Sequence, residues 1–170
     1  MTRFIALLRG INVGGKVVKM EALRGVFGEM GFDNVKTYIQ SGNVLFAAEE
    51  ASASRISEKL EEAFGFPIPV VLRTLDEWKG AIGRNPFAGK DPYITFLSDE
   101  PDLDAVAALE SFADGFDDDV KVVGREVYLL CPGGYGRTKF SNAFVEKRLA
   151  VSGTTRNWKT VNKLLALSQS

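Results

Sequence analysis

The sequence contains no histidine and only one cysteine, Cys131. The first absence removes imidazole-based triads, histidine-containing zinc sites and the usual general base near neutral pH. The second rules out an internal disulfide, so nothing in the chain demands an oxidising compartment. Asp, Glu, Lys, Tyr and Cys remain for acid–base or nucleophilic work. A carboxylate-held magnesium or calcium is chemically open, but no metal ligands stand out. Asp117, Asp118 and Asp119 are consecutive, which does not match an EF-hand loop, and read as a solvated turn. Long apolar runs are also missing: none approaches the roughly 18–20 residues that span a bilayer. The apolar stretch at residues 4–8 is shorter than a secretory h-region of roughly 7–15 residues, and a buried strand explains it. The expectation is a cytoplasmic protein with no membrane partner.

What is present is ordinary for a globular chain: 170 residues, 45% hydrophobic and 25% charged. Such a chain should bury roughly 70% of its unfolded surface. The net charge of −1 conceals three blocks, +3 over residues 1–48, −11 over 49–119 and +7 over 120–170. Convergence of the basic ends would create a face attractive to an anion. Neutralisation across the fold is the competing explanation.

Periodicity gives the order of elements. The run Thr2–Leu8 reads as a strand buried on both faces. Met20, Leu23, Phe27 and Met30 line one helix face, ended by Gly31. Residues 35–40 and 43–47 read as strands joined by a turn at Ser41-Gly42. A helix carrying Ile56, Leu60, Ala63 and Phe64 ends at Gly65, and residues 68–73 form a fourth strand. This β-α-β-β-α-β order is the ferredoxin-like arrangement.

The second half repeats most of it. Thr74 and Glu77 form a capping-box signature for a short helix. A strand at 93–97, a helix at 102–112, a hairpin at 120–130 across Gly124-Arg125 and a helix at 141–149 follow. A final helix over 155–167 stands where a last strand is expected. The fold class is therefore α+β, with two packed ferredoxin-like halves, 1–73 and 74–170, the second with a C-terminal helix in place of its last strand. With no evident linker between them, the halves are expected to form one compact unit.

Several segments taken together are distinctive. They are residues 4–16 (FIALLRGINVGGK), 37–44 (TYIQSGNV), 85–87 (NPF), 139–142 (KFSN) and 154–161 (TTRNWKTV). In combination they resemble the bacterial family known as domain of unknown function 1697, over essentially the whole chain. The resemblance implies an α+β fold of two ferredoxin-like halves. It implies no activity, cofactor or catalytic residue.

The chemically unusual segment is the basic, glycine-containing loop at residues 9–16. Gly10, Gly14 and Gly15 permit positive φ and expose backbone N–H groups, while Arg9, Asn12 and Lys16 offer donors to oxygen ligands. A strand-loop-helix junction of this composition suits a phosphate or carboxylate. It is neither a Walker A loop nor a dinucleotide G-x-G-x-x-G fingerprint. A glycine-rich turn with solvated charges is the plain alternative.

Two further segments share that character. Residues 154–158 open the last helix in this reading, with threonine as its N-cap. There Thr155, Arg156 and Asn157 add donors and charge where an acidic side chain is normally preferred. Arg137 and Lys139 follow the glycines at 133, 134 and 136 in a second candidate anion-binding turn. That turn is expected at the same sheet end as Asp99, Glu100 and Asp102, making salt bridges a competing use.

The hairpin at Gln40-Ser41-Gly42-Asn43 is expected at the sheet end opposite the loop at 9–16. With no histidine to activate it, Ser41 reads as a turn residue and not as a nucleophile. Cys131, at a strand end before Pro132, reads as a small buried residue. The leading functional expectation is binding of an anionic ligand: a nucleotide, a phosphorylated metabolite or a nucleic acid. The alternatives are an enzyme acting on a phosphorylated or carboxylated small molecule, and a protein-partner or structural module.

Overall fold

A computed structural model describes residues 1–39 and 42–170. The fold is α+β, with two four-stranded antiparallel sheets that each carry helices. By contacts the chain divides into a first unit, Met1–Gly80 with Lys163–Ser170, and a second, Ala81–Asn162.

In the first unit the order is β1 (Thr2–Leu8), α1 (Met20–Glu29), β2 (Asp33–Tyr38), β3 (Asn43–Ala48), α2 (Ala53–Phe64), β4 (Val70–Thr74) and the start of α3 (Leu75–Gly83). The sheet order is β2-β3-β1-β4. Residues 4–8 are all buried, as their unbroken apolar run requires. Phe4, Ala6 and Leu8 face a core shared with Leu23 and Phe27 of α1 and with Ile56 and Leu60 of α2. Phe46 of β3 is its aromatic centre, with ring centroids 5.3 Å from Phe4, 5.4 Å from Phe27 and 4.3 Å from Phe32. Gly65 ends α2 in the left-handed conformation, φ 82°, a geometry that costs glycine no Cβ clash. The capping box opening α3 is reciprocal: Thr74 N donates to Glu77 Oε1 at 2.8 Å, and Glu77 N to Thr74 Oγ1 at 3.1 Å.

The second unit repeats the order with β5 (Tyr93–Leu97), α4 (Leu103–Ala113), β6 (Asp119–Val123), β7 (Glu126–Leu130), α5 (Asn142–Leu149), β8 (Gly153–Arg156) and the start of α6 (Trp158–Ser168). Its sheet order, β6-β7-β5-β8, is the same arrangement strand for strand. Leu97, Val120, Val127 and Leu129 pack with Leu109 of α4 and with Val145 and Leu149 of α5.

Three placements differ from the expectations above. First, the C-terminal helix is present but follows a fourth strand instead of replacing it. Thr154 pairs with Phe96, Thr155 with Thr95 and Arg156 with Ile94, so these residues extend the sheet and do not open the helix. Asn157 caps α6, its Oδ1 accepting from Thr160 N at 2.8 Å.

Second, the β2–β3 turn lies at the same sheet end as the β1–α1 loop. β1 and β2 both pair antiparallel with β3, so they run parallel and their carboxyl ends coincide. Leu8 N donates to Gly42 O at 2.8 Å. The catalytic-serine question at Gln40 and Ser41 falls outside the described residues.

Third, the turn at 132–139 does not meet Asp99, Glu100 and Asp102. β7 is antiparallel to β5, so its carboxyl end lies where β5 begins. Tyr135 accordingly stacks on Tyr93 at 4.8 Å, while Ser98, past the other end of β5, donates its N–H to Ser152 O.

Candidate functional site

The β1–α1 loop is built around Asn12, a non-glycine residue at φ 56°. Its backbone N–H donates to Lys16 O at 2.7 Å, and its Oδ1 accepts from Val18 N at 2.9 Å. Asn12 is therefore the organiser of the loop, and asparagine tolerates the left-handed region better than most side chains. Lys16 N closes a four-residue turn onto Val13 O at 3.0 Å. Gly14 and Gly15, at φ 56° and 83°, fill the two central positions, where a type I′ turn demands positive φ. Both are exposed, and among the described residues neither backbone N–H has a protein acceptor.

Below that turn the chain is anchored. Arg9 N donates to Pro69 O at 3.1 Å, and Ile11 is buried beside Gly42. A Cβ on Gly42 would lie 2.8 Å from Leu8 Cβ and 3.0 Å from Ile11 Cδ1, so glycine is needed for the approach of the two loops. Arg9 is half-buried at the root of the loop; Lys16 is exposed, with Nζ 5.8 Å from the centre of the Phe66 ring.

Three residues beyond Lys16, α1 begins with Lys19 at the N-cap position, and no side chain caps it. The other five helices are capped by Ser52, Thr74, Asp102, Ser141 and Asn157. Glu21 supplies one negative charge in the first turn of α1.

The candidate residues of the second unit divide into two groups. Thr155, Arg156 and Asn157 are engaged within the fold. Thr155 Oγ1 bonds to Thr95 Oγ1 at 2.7 Å and donates to Asn142 Oδ1 at 2.8 Å. Arg156 is buried, with Nη1 donating to Thr154 Oγ1 at 2.7 Å and Thr155 O at 2.9 Å. Burial lowers its pKa to about 10. Arg137 and Lys139, by contrast, are exposed. Residues 9–16 belong to the first unit and residues 137–157 to the second.

Sequence reading missed a buried polar cluster in the second unit. Glu126 is buried and accepts from Arg84 Nη2 at 3.0 Å. Tyr128 donates its hydroxyl to Ala81 O. Burial, reinforced by the Glu126 carboxylate and opposed by Arg84, raises the Tyr128 pKa to about 12. Glu126 opens a strand directly after a turn, a place where a carboxylate normally meets water, so no local signal marks it as buried.

Among the described residues, no group of three or more His, Cys, Asp or Glu side chains is arranged to hold a metal ion. Nor is any helix long and apolar enough to cross a membrane.

The family model described as "Protein of unknown function (DUF1697)" matches residues 1–128. The chain belongs to the DUF1697 family. No curated protein sequence is significantly similar to it. Among solved structures, a conserved bacterial protein, SP0830 from Streptococcus pneumoniae, is similar at 26% identity and a TM-score of 0.78, covering 100% of this chain and 99% of its own. That likeness includes β8 and α6, beyond the last residue of the DUF1697 match. An unknown protein from Galdieria sulphuraria aligns over 92% and 97% of the two chains, at 11% identity and a TM-score of 0.28.

Proposed function

We propose that this DUF1697 protein binds a phosphorylated or carboxylated small molecule at the β1–α1 loop. The observation that carries the reading is the pairing of two exposed glycine amides, at Gly14 and Gly15, with a helix that begins on lysine and lacks a side-chain cap. Backbone donors in a tight turn and an uncapped helix N-terminus both favour negative charge. Lys16 and Lys19 add two exposed cations to the same stretch, with Arg9 at its root. Asn12 holds the turn in shape, and Gly42 lets the neighbouring hairpin support it.

Arg137 and Lys139 stay in the proposal as a separate basic surface of the second unit. Thr155, Arg156 and Asn157 are better explained by strand pairing, burial and helix capping. The decisive titration uses the whole chain with inorganic phosphate, a nucleoside diphosphate and a sugar phosphate, followed by calorimetry. Saturable binding of at least one is expected, weakened about ten-fold in Lys16→Gln at unchanged melting temperature, as for loss of one charge-assisted contact. Absence of binding at millimolar ligand, or equal binding by the variant, overturns the reading.

A second reading, docking of a protein partner, draws on Val13 and Val17. They are 60% and 68% exposed on either side of the glycine turn. Val13→Ser weakens partner capture in that case and leaves phosphate affinity unchanged. An enzymatic role needs an acid or base beside the loop, and turnover of a phosphorylated or carboxylated substrate by the whole chain is the observation that would favour it.

A further inference from the structure

We propose that the α4–α5 face of the second unit binds single-stranded nucleic acid, a base stacking at Phe116 and phosphates meeting Arg137, Lys139, Lys147 and Arg148. Four rings are contiguous on this face. Phe112 lies 5.2 Å from Phe116 and 5.6 Å from Phe144, while Phe140 stands edge-on to Phe116 at 5.4 Å and to Phe144 at 5.7 Å. Phe140 is buried and Phe112 and Phe144 are half-buried, but Phe116 remains 43% exposed. An exposed phenylalanine joined to such a cluster offers a flat apolar surface to a second ring.

The cations are placed with the rings. The Arg148 guanidinium carbon lies 4.4 Å from the centre of Phe112 and 4.9 Å from that of Phe144. Lys139 Nζ approaches Phe144 at 5.2 Å. Arg137, Lys147, Arg148 and Lys139 are all exposed, and among the described residues none is in an ion pair. One cation over one ring is a common way to steady a helix pair. Two cations sharing Phe144, with two more unpaired beside them in sequence and an uncovered Phe116, exceed that need.

The nearby carboxylates set the path of a strand. Asp118 accepts from Thr138 Oγ1 and Glu110 from Val122 N, whereas Asp114, Asp117 and Asp119 are exposed around Phe116. Their repulsion directs phosphates toward the α5 side. A small anion would use the cations and leave the rings idle; a single strand uses both, because every base has a π-face and each nucleotide a phosphate. Arg148, already resting on two rings, loses less freedom on binding than a solvated arginine. None of these residues belongs to the β1–α1 loop, so either proposal can fail alone.

The test is fluorescence anisotropy of the full chain with a labelled oligothymidylate of about 12 nucleotides. Saturable binding is expected, with a log–log salt slope of about −3 for four phosphate contacts. Phe116→Ser, at an exposed position, is expected to weaken binding about ten-fold at unchanged melting temperature. Arg148→Gln makes the salt slope shallower by about 0.7. An abasic strand of equal length is expected to bind about ten-fold more weakly than oligothymidylate. The proposal is overturned if oligothymidylate does not bind at low salt, if Phe116→Ser and Arg148→Gln both bind like the parent chain, or if the abasic strand binds equally well.

Discussion

Arg156 shows how little a charge in a sequence says about its surroundings. From the string Thr-Thr-Arg-Asn-Trp it reads as an exposed donor at a helix start. In the fold it is the last residue of β8, buried and engaged by Thr154 and the Thr155 carbonyl. Arg73 holds the corresponding place on β4, opposite Ile5 as Arg156 is opposite Ile94, and is also buried. Arg156→Ala is therefore expected to lower stability by about 3 kcal/mol in chemical denaturation, leaving a cavity and unpaired polar groups. A variant as stable as the parent would contradict this assignment. Tyr128 gives a pH signature. Its folded pKa, raised to about 12, exceeds the unfolded value near 10, so its contribution is intact below pH 10 and falls as pH rises from 10 to 12. The loss should be on the order of 2–3 kcal/mol, measured as denaturation midpoints at pH 9 and 11.5. Tyr128→Phe should remove that component of the slope.

Helices and turns were the most legible elements, because their signals are local. The Thr74–Glu77 capping box, the Gly65 helix stop and the bounds of β5 follow from residue type and spacing alone. β8 was illegible because Gly153-Thr154-Thr155-Arg156 is short and polar, and its sheet identity comes only from pairing with β5. The candidate loop was legible as composition: three glycines and three donors in eight residues. Its division of labour was not, since Asn12 acts on Lys16 and Val18 through the backbone geometry of the turn. The uncapped start of α1 supports an unusual prediction. Lys19→Asp should stabilise the protein by about 0.5–1 kcal/mol, by capping α1 and complementing its dipole, while abolishing anion affinity. Thermal melts and phosphate titration on the same sample check both parts. Gly42→Ala should destabilise by about 2 kcal/mol, because its Cβ meets Leu8 and Ile11 and its φ of 99° is strained for alanine.

On the scale of the whole chain, the two ferredoxin-like units share one strand order, and that order corrects the reading of the ends of each sheet. Element order was readable from periodicity. The ends at which loops emerge depend on strand direction, which requires tracing every crossover. That step places the β2–β3 turn beside the β1–α1 loop and takes the turn at 132–139 away from Asp99, Glu100 and Asp102. Membership of the DUF1697 family and the full-length likeness to SP0830 support the architecture without assigning a ligand. The most direct measurement is therefore amide NMR of the whole chain during titration with inorganic phosphate. Saturable shifts centred on the Gly14, Gly15 and Lys16 amides, absent in Lys19→Asp, are the predicted result. Unmoved Gly14 and Gly15 resonances at tens of millimolar phosphate, roughly the weakest contact worth calling a site, would contradict the proposed anion-binding loop.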